Sequence, residues 1–155
     1  LPGVVLLAPL PSTGMSAMLL RLARRHPVTA LRFLFSLDFY EWVRTPALAQ
    51  ELFLDPDTGV DVAAFQERLV RETMNAPGLL LPCARVNPDR SPVLVIAAEK
   101  DAFFTLDEER KTAGKYAAKF VVVEGQAHDL MLESAWKQVA DVIDGWITQE
   151  VDGQV

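Results

Sequence analysis

The chain alternates short, unbroken apolar runs with longer stretches in which apolar residues recur every three or four positions. Val4–Ala8 is the first run, bounded by Pro2-Gly3 before it and by Pro9 and Pro11 after it. A run that short, closed by turn residues, predicts a fully buried strand of the parallel type, and the prolines end it. From Met15 to about Leu54 the period becomes helical. MSAMLLRLARR carries a broad apolar stripe, with Arg21, Arg24 and Arg25 towards its end, where cations suit the helix dipole. Pro27 suits the first position of a second helix, and Thr45-Pro46 the N-cap and first turn of a third. Asp55-Pro56-Asp57-Thr58-Gly59 reads as a turn, and Val62, Phe65, Leu69 and Thr73 as one face of a further helix. Residues 76–91 hold three prolines and are expected to be mostly loop.

Two more short runs follow, Val93–Ala97 and Phe120–Val123, and both predict strands. Between them Thr105-x-x-Glu108 predicts a capping box, with Asp107, Glu108 and Glu109 loading the first turn of a helix that runs to about Ala118. Ser134 is the expected cap of a last helix, whose Trp136, Val139, Ala140, Ile143, Trp146 and Ile147 share one face. The order strand, helical excursion, strand, helix, strand, helix describes an α/β fold on a parallel sheet. The expected domain organisation is a core strand in residues 1–11, a helical cap or lid insertion over 12–91, a core α/β segment over 92–150 and a tail over 151–155.

Composition narrows this picture. A length of 155 residues fits one domain, and 50% hydrophobic against 23% charged residues supplies a substantial core. The net charge of −6 argues against a nucleic-acid partner or an anionic membrane, which call for a basic face. Cys83 is the only cysteine, so no disulfide forms within the chain and a reducing, cytoplasmic setting is expected. No apolar run approaches the roughly 18 residues needed to span a membrane. Two histidines and one cysteine argue against a His/Cys metal site, and the absence of a Gly-rich phosphate loop leaves no cofactor expected. The sequence opens without Met and is inside an apolar run by Val4, so it is expected to be a piece of a longer protein.

Parallel sheets bind ligands beyond the C-terminal ends of their strands. Asp101 follows VLVIAAEK, and His128 lies in GQAHD, after a strand and Gly125, so both should converge on one edge of the sheet. A carboxylate that orients an imidazole, and an imidazole that takes a proton from a hydroxyl, are two of the three members of a hydrolytic triad. Taken singly, Asp101 also reads as a turn or helix-capping aspartate, and His128 as a polar loop histidine. Glu99 is the competing carboxylate, nearer the strand, and Asp129 should point away. His26 reads as a surface or cap residue. Met15, Met18, Phe33, Phe35, Phe39, Tyr40 and Trp42 could line an apolar pocket or form core.

Together, PVLVIAAEKDAFF and VVVEGQAHDLML resemble the acid and histidine loops of the α/β-hydrolase superfamily, and the last helix, with Trp136 and Trp146, resembles its C-terminal helix. The resemblance covers essentially the whole chain, with residues 12–91 in the place of the cap. It implies a partial parallel sheet of the α/β-hydrolase fold, with Asp101 orienting His128 as general base for a serine in a G-x-S-x-G elbow. The family places that elbow, and the oxyanion-hole loop, upstream of the strand that here begins at Val4, and neither is in this sequence. The nearest match, Gly14-Met15-Ser16-Ala17-Met18, fails at Met18, where a very small residue is required, and Pro9 and Pro11 spoil the tight turn. The expectation is therefore the C-terminal part of a serine-type hydrolase of carboxylic esters or amides, apolar-tailed or lysophospholipid-like, inactive by itself. A haloalkane-type hydrolase would also carry its nucleophile upstream. The alternatives are a non-catalytic hydrolase-like domain for ligand binding or interaction, and a self-contained hydrolase using Ser16, Asp101 and His128.

Overall fold

The computed structural model describes residues 3–71 and 91–151. Three strands, β1 (Val4–Leu7), β2 (Val93–Ala98) and β3 (Lys119–Val123), form one parallel sheet in the order β1-β2-β3. Leu7 pairs with Ile96, and Ala98 with Val123. The central strand VLVIAA is buried from Leu94 to Ala98, which is why it reads as an unbroken apolar run. Leu94, Ile96 and Ala98 join Val123, Leu130, Val139 and Trp146 in a core under α6 (Trp136–Trp146). Val95 and Ala97 point to the opposite face, where α5 (Leu106–Lys115) packs on β2 and β3 as the crossover helix. β1 is half-buried, not fully buried as its composition suggests, because among the described residues it has a strand on one side only.

Between β1 and β2 lie α1 (Ser16–Arg25), α2 (Pro27–Ser36), a 3-10 turn (Phe39–Trp42), α3 (Pro46–Phe53) and α4 (Val62–Glu67). Local chemistry sets these boundaries. Pro27 and Pro46 occupy first turns, and Thr45 Oγ1 accepts the Leu48 N–H at 3.3 Å. Asp61 caps α4 by accepting from Ala63 and Ala64 N–H, both at 3.1 Å. A second core gathers Met15, Met18, Leu22, Trp42, Leu52 and Phe104, and a third gathers Ala49, Leu54 and Phe65.

Several boundaries differ from the pattern. α4 ends at Glu67, and Thr73, Cys83 and residues 76–90 lie outside the described residues. The capping box on α5 is complete, with Thr105 N–H donating to Glu108 Oε2 at 2.9 Å, but the helix stops at Lys115. Ala117 takes a φ of +49°, and Ala118 N–H closes back on Ala113 O at 2.9 Å, a left-handed C-terminal closure that ends the helix early. Ser134 does not cap α6. Ala135 holds the N-cap position, and its N–H donates to Gln126 Oε1 at 3.1 Å, so a side chain from the loop after β3 does the capping. The core face of α6 is Val139, Ile143 and Trp146, whereas Trp136, Ala140 and Ile147 are exposed, since the apolar stripe is wider than the three described strands cover.

Candidate active site

The loop after β2 is built around Asp101, whose side chain is 2% exposed. Its Oδ1 accepts the N–H groups of Phe103 at 2.7 Å and Phe104 at 3.0 Å, which fixes the loop and the carboxylate together. Oδ1 thus serves the turn and leaves Oδ2 free of it. Oδ2 faces His128 Nδ1 at 2.8 Å.

The loop after β3 turns at Gly125, where φ is +69°, a conformation that costs a side-chain-bearing residue strain. Glu99, the competing carboxylate, accepts the Gly125 N–H at 2.7 Å, and Lys100 N–H donates to Gln126 O at 2.9 Å. Glu99 therefore clasps the two loops together and leaves the imidazole to Asp101. The His128 ring is held edge-on by Phe53, Phe103 and Phe104, with centroids 5.6, 4.8 and 5.9 Å away. With Nδ1 donating to a carboxylate, Nε2 is left as the basic nitrogen, and it has no hydrogen-bond partner among the described residues.

His128 lines a cleft of about 360 Å³ whose other walls are almost wholly apolar. Met15, Met18, Leu19, Leu22, Phe39 and Trp42 come from the inserted helices, with Tyr40 the polar exception. Phe53, Phe103 and Phe104 close the end next to the imidazole. Of the aromatic residues singled out in sequence, Phe33 packs behind the cleft as core and Phe35 is 84% exposed, so neither lines it.

The inserted helices are fastened to these loops at two places. Arg21 of α1 grips Glu108 with two bonds, at 2.9 and 2.7 Å, and donates to Phe103 O at 2.7 Å. Burial alone would push the Glu108 carboxyl up, but Arg21 and Thr105 hold it below the ordinary value. Beyond α3, Phe53 O accepts the Asp129 N–H at 2.9 Å, Glu133 Oε1 the Asp55 N–H at 2.6 Å, and Asp55 Oδ2 pairs with Lys100 Nζ at 2.7 Å. The Lys100 ammonium holds Asp55 below the usual carboxylate range. Asp129, half-buried, is raised by burial. Ser16 is exposed at the start of α1, Met18 beside it is buried, and His26 Nε2 faces Glu51 at 2.9 Å. Among the described residues no His/Cys/Asp/Glu group is arranged to hold a metal ion.

Two contributors escape the sequence reading. Phe53 is one; nothing in its helical pattern signals that the end of α3 meets the histidine loop. Glu109 is the other. It reads as a solvated first-turn acid, yet it is 1% exposed, on the face shared by Thr112 and Ala113, with both carboxyl oxygens unpartnered. The spacing i, i+3, i+4 was the available signal. Burial, then the nearby charges of Asp101 and Glu108, push the Glu109 carboxyl up to about 8 from its ordinary 4.5, so the folded protein holds its proton at neutral pH. A group raised in this way supports folding fully below its unfolded value and loses that support as pH rises towards 8. Glu109→Gln, neutral and of the same shape, should therefore match the wild type near pH 4 and exceed it increasingly towards pH 9, by about 5 kcal/mol at most. Melting temperatures of the two proteins across that range check this; parallel curves would remove the claim.

A sequence profile of the Alpha/beta hydrolase family matches residues 1–142. No curated protein sequence matches the chain. Among solved structures, the crystal structure of VinJ is similar, with a TM-score of 0.53 at 16% identity. The alignment covers 97% of this chain and 58% of VinJ, so the chain spans little more than half of that protein's length.

Proposed function

The chain belongs to the α/β-hydrolase family, and on that premise we propose that it supplies the acid and the base of a serine-type hydrolase acting on carboxylic esters with an apolar tail. The observation that carries this reading is the 2.8 Å contact between Asp101 Oδ2 and His128 Nδ1, which leaves Nε2 as the open nitrogen of a ring lining the cleft. In the proposed reaction Nε2 takes the proton of a serine hydroxyl as its oxygen attacks the ester carbonyl, and Asp101 stabilises the resulting imidazolium. His128 then returns the proton to the departing alkoxide, and a water molecule repeats the sequence to release the acid. The three phenylalanine rings keep bulk water from the pair, which strengthens the interaction of imidazolium with carboxylate.

The sequence holds no G-x-S-x-G, so the serine and the oxyanion donors are assigned to a segment that precedes Leu1 in the full-length gene product. Residues 12–91 are proposed as the lid over this site, and the apolar walls they contribute as the seat of the substrate's tail.

The test is turnover of p-nitrophenyl acetate, butyrate and octanoate by the full-length gene product. Each added methylene should raise kcat/KM about fourfold until the cleft is filled, the gain expected for burying one CH₂. A flat or falling series would refute the apolar-tail assignment. No turnover of any ester would favour a non-catalytic, hydrolase-like binding domain.

A further inference from the structure

The chain's charges are segregated. Every acidic residue lies at or after Asp38, while the sequence before it carries Arg21, Arg24, Arg25 and Arg32 and no acid. Arg21 is committed to Glu108, and Arg25 reaches Glu51 at 3.3 Å. Arg24 and Arg32 are exposed and meet no acid among the described residues. The same segment carries more than half of the exposed large apolar side chains among the described residues. On α2, Ala30 and Phe33 turn inward to the second core, and no residue of the helix is fully buried. Val28, Leu31 and Phe35, spaced i, i+3, i+7, form the outward stripe at 64%, 54% and 84% exposure, and Leu34 and Leu37 widen it at 67% and 75%. A contiguous face of this kind marks an interaction surface.

We propose that the face formed by α2, with α1 beside it, is a docking face for the surface of an anionic phospholipid bilayer. Leu31, Leu34, Phe35 and Leu37 enter the interface, and Arg24 and Arg32 meet lipid phosphates. An apolar stripe flanked by arginines is the composition of a helix that lies in a membrane interface. At about 15 Å, a ten-residue helix is half the length needed to cross the hydrocarbon. A second copy presenting the same face is a poorer occupant, because it would bring arginines against arginines. The net charge of −6 would repel an anionic bilayer from any other side, so the segregation of charge also orients the docked protein. Met18, Leu19 and Leu22 on the inner side of α1 line the cleft, which places the cleft just behind the docked face. Docking of this kind requires no hydrolysis and stands independently of the reaction proposed above.

Co-sedimentation of the full-length gene product with vesicles tests it. The protein should pellet with equimolar phosphatidylcholine and phosphatidylglycerol, and at least about tenfold less with phosphatidylcholine alone. Arg24→Gln with Arg32→Gln should weaken binding about 30-fold at low salt, and Phe35→Asp by at least as much, with circular dichroism and turnover of a water-soluble ester unchanged. Failure of the wild type to pellet overturns the proposal. A concentration-dependent dimer that Phe35→Asp dissociates, without vesicle binding, would assign the face to a second copy. Protection of the Leu34 and Phe35 side chains from hydroxyl-radical footprinting in the lipid-free protein would show that the gene product covers the face itself, and would equally overturn the proposal.

Discussion

His128→Gln is expected to lower kcat for ester hydrolysis by the full-length gene product about 10⁵- to 10⁶-fold, with KM little changed. The loss is that large because in the proposed reaction the imidazole serves both halves. Without it the serine hydroxyl keeps its proton in the attack, and the alkoxide leaves unprotonated. Members of a triad act as a unit, so removing the base costs nearly as much as removing all three. Substrate still meets the same apolar walls, since His128 is one residue among many around the cleft, and ground-state binding should survive. The fold should survive too. His128 is partly exposed, and its loop keeps the bonds of Gly125 N–H to Glu99 and of Lys100 N–H to Gln126 O, neither of which involves the ring. A kcat within about tenfold of wild type, in a variant with an unchanged melting temperature, would remove His128 from the chemistry.

Asp101→Asn is expected to cost about 10⁴-fold in kcat, again with little change in KM. This substitution separates the two oxygens of Asp101. The asparagine carbonyl can take the place of Oδ1 and keep the bonds from the Phe103 and Phe104 N–H groups, so the loop stays in place. Its amide then presents N–H to His128 Nδ1, where Oδ2 stood at 2.8 Å. Two donors cannot share that contact, so the ring must carry its proton on Nε2, the nitrogen that has to be basic. Glu99→Gln is the internal control. Its carboxylate clasps Gly125 and does not touch the imidazole, and it should cost far less than Asp101→Asn.

What the sequence makes legible follows from how each feature is encoded. The three strands, the capping box on α5 and the placement of Asp101 and His128 are written in local patterns. A buried parallel strand must be an unbroken apolar run, and the residues just past it must turn. The acid–histidine convergence is readable because β2 and β3 are neighbours in parallel, which brings the ends of both to one edge. Contacts between segments distant in the chain are not written this way. The Gln126 cap on α6, the clasp of Glu99 on Gly125 and the arrival of Phe53 beside His128 depend on loop geometry that no periodicity reports. Glu109 shows the opposite failure. Its spacing with Thr112 and Ala113 marks it as inward-facing, but its charge reads as a favourable first-turn acid. A net charge of −6 likewise averages an acid-free cationic segment with the acidic remainder, and does not report how the charges are distributed.

The central claim is that Asp101 and His128 serve a nucleophile carried by a different segment of the same protein. The most direct measurement is a crystal structure of the full-length gene product after reaction with a fluorophosphonate. The account predicts phosphorus bonded to a serine that precedes Leu1, within a G-x-S-x-G turn, its Oγ within about 3.2 Å of His128 Nε2. Phosphorus on Ser16, on a residue remote from His128, or on no residue of the folded protein would contradict it.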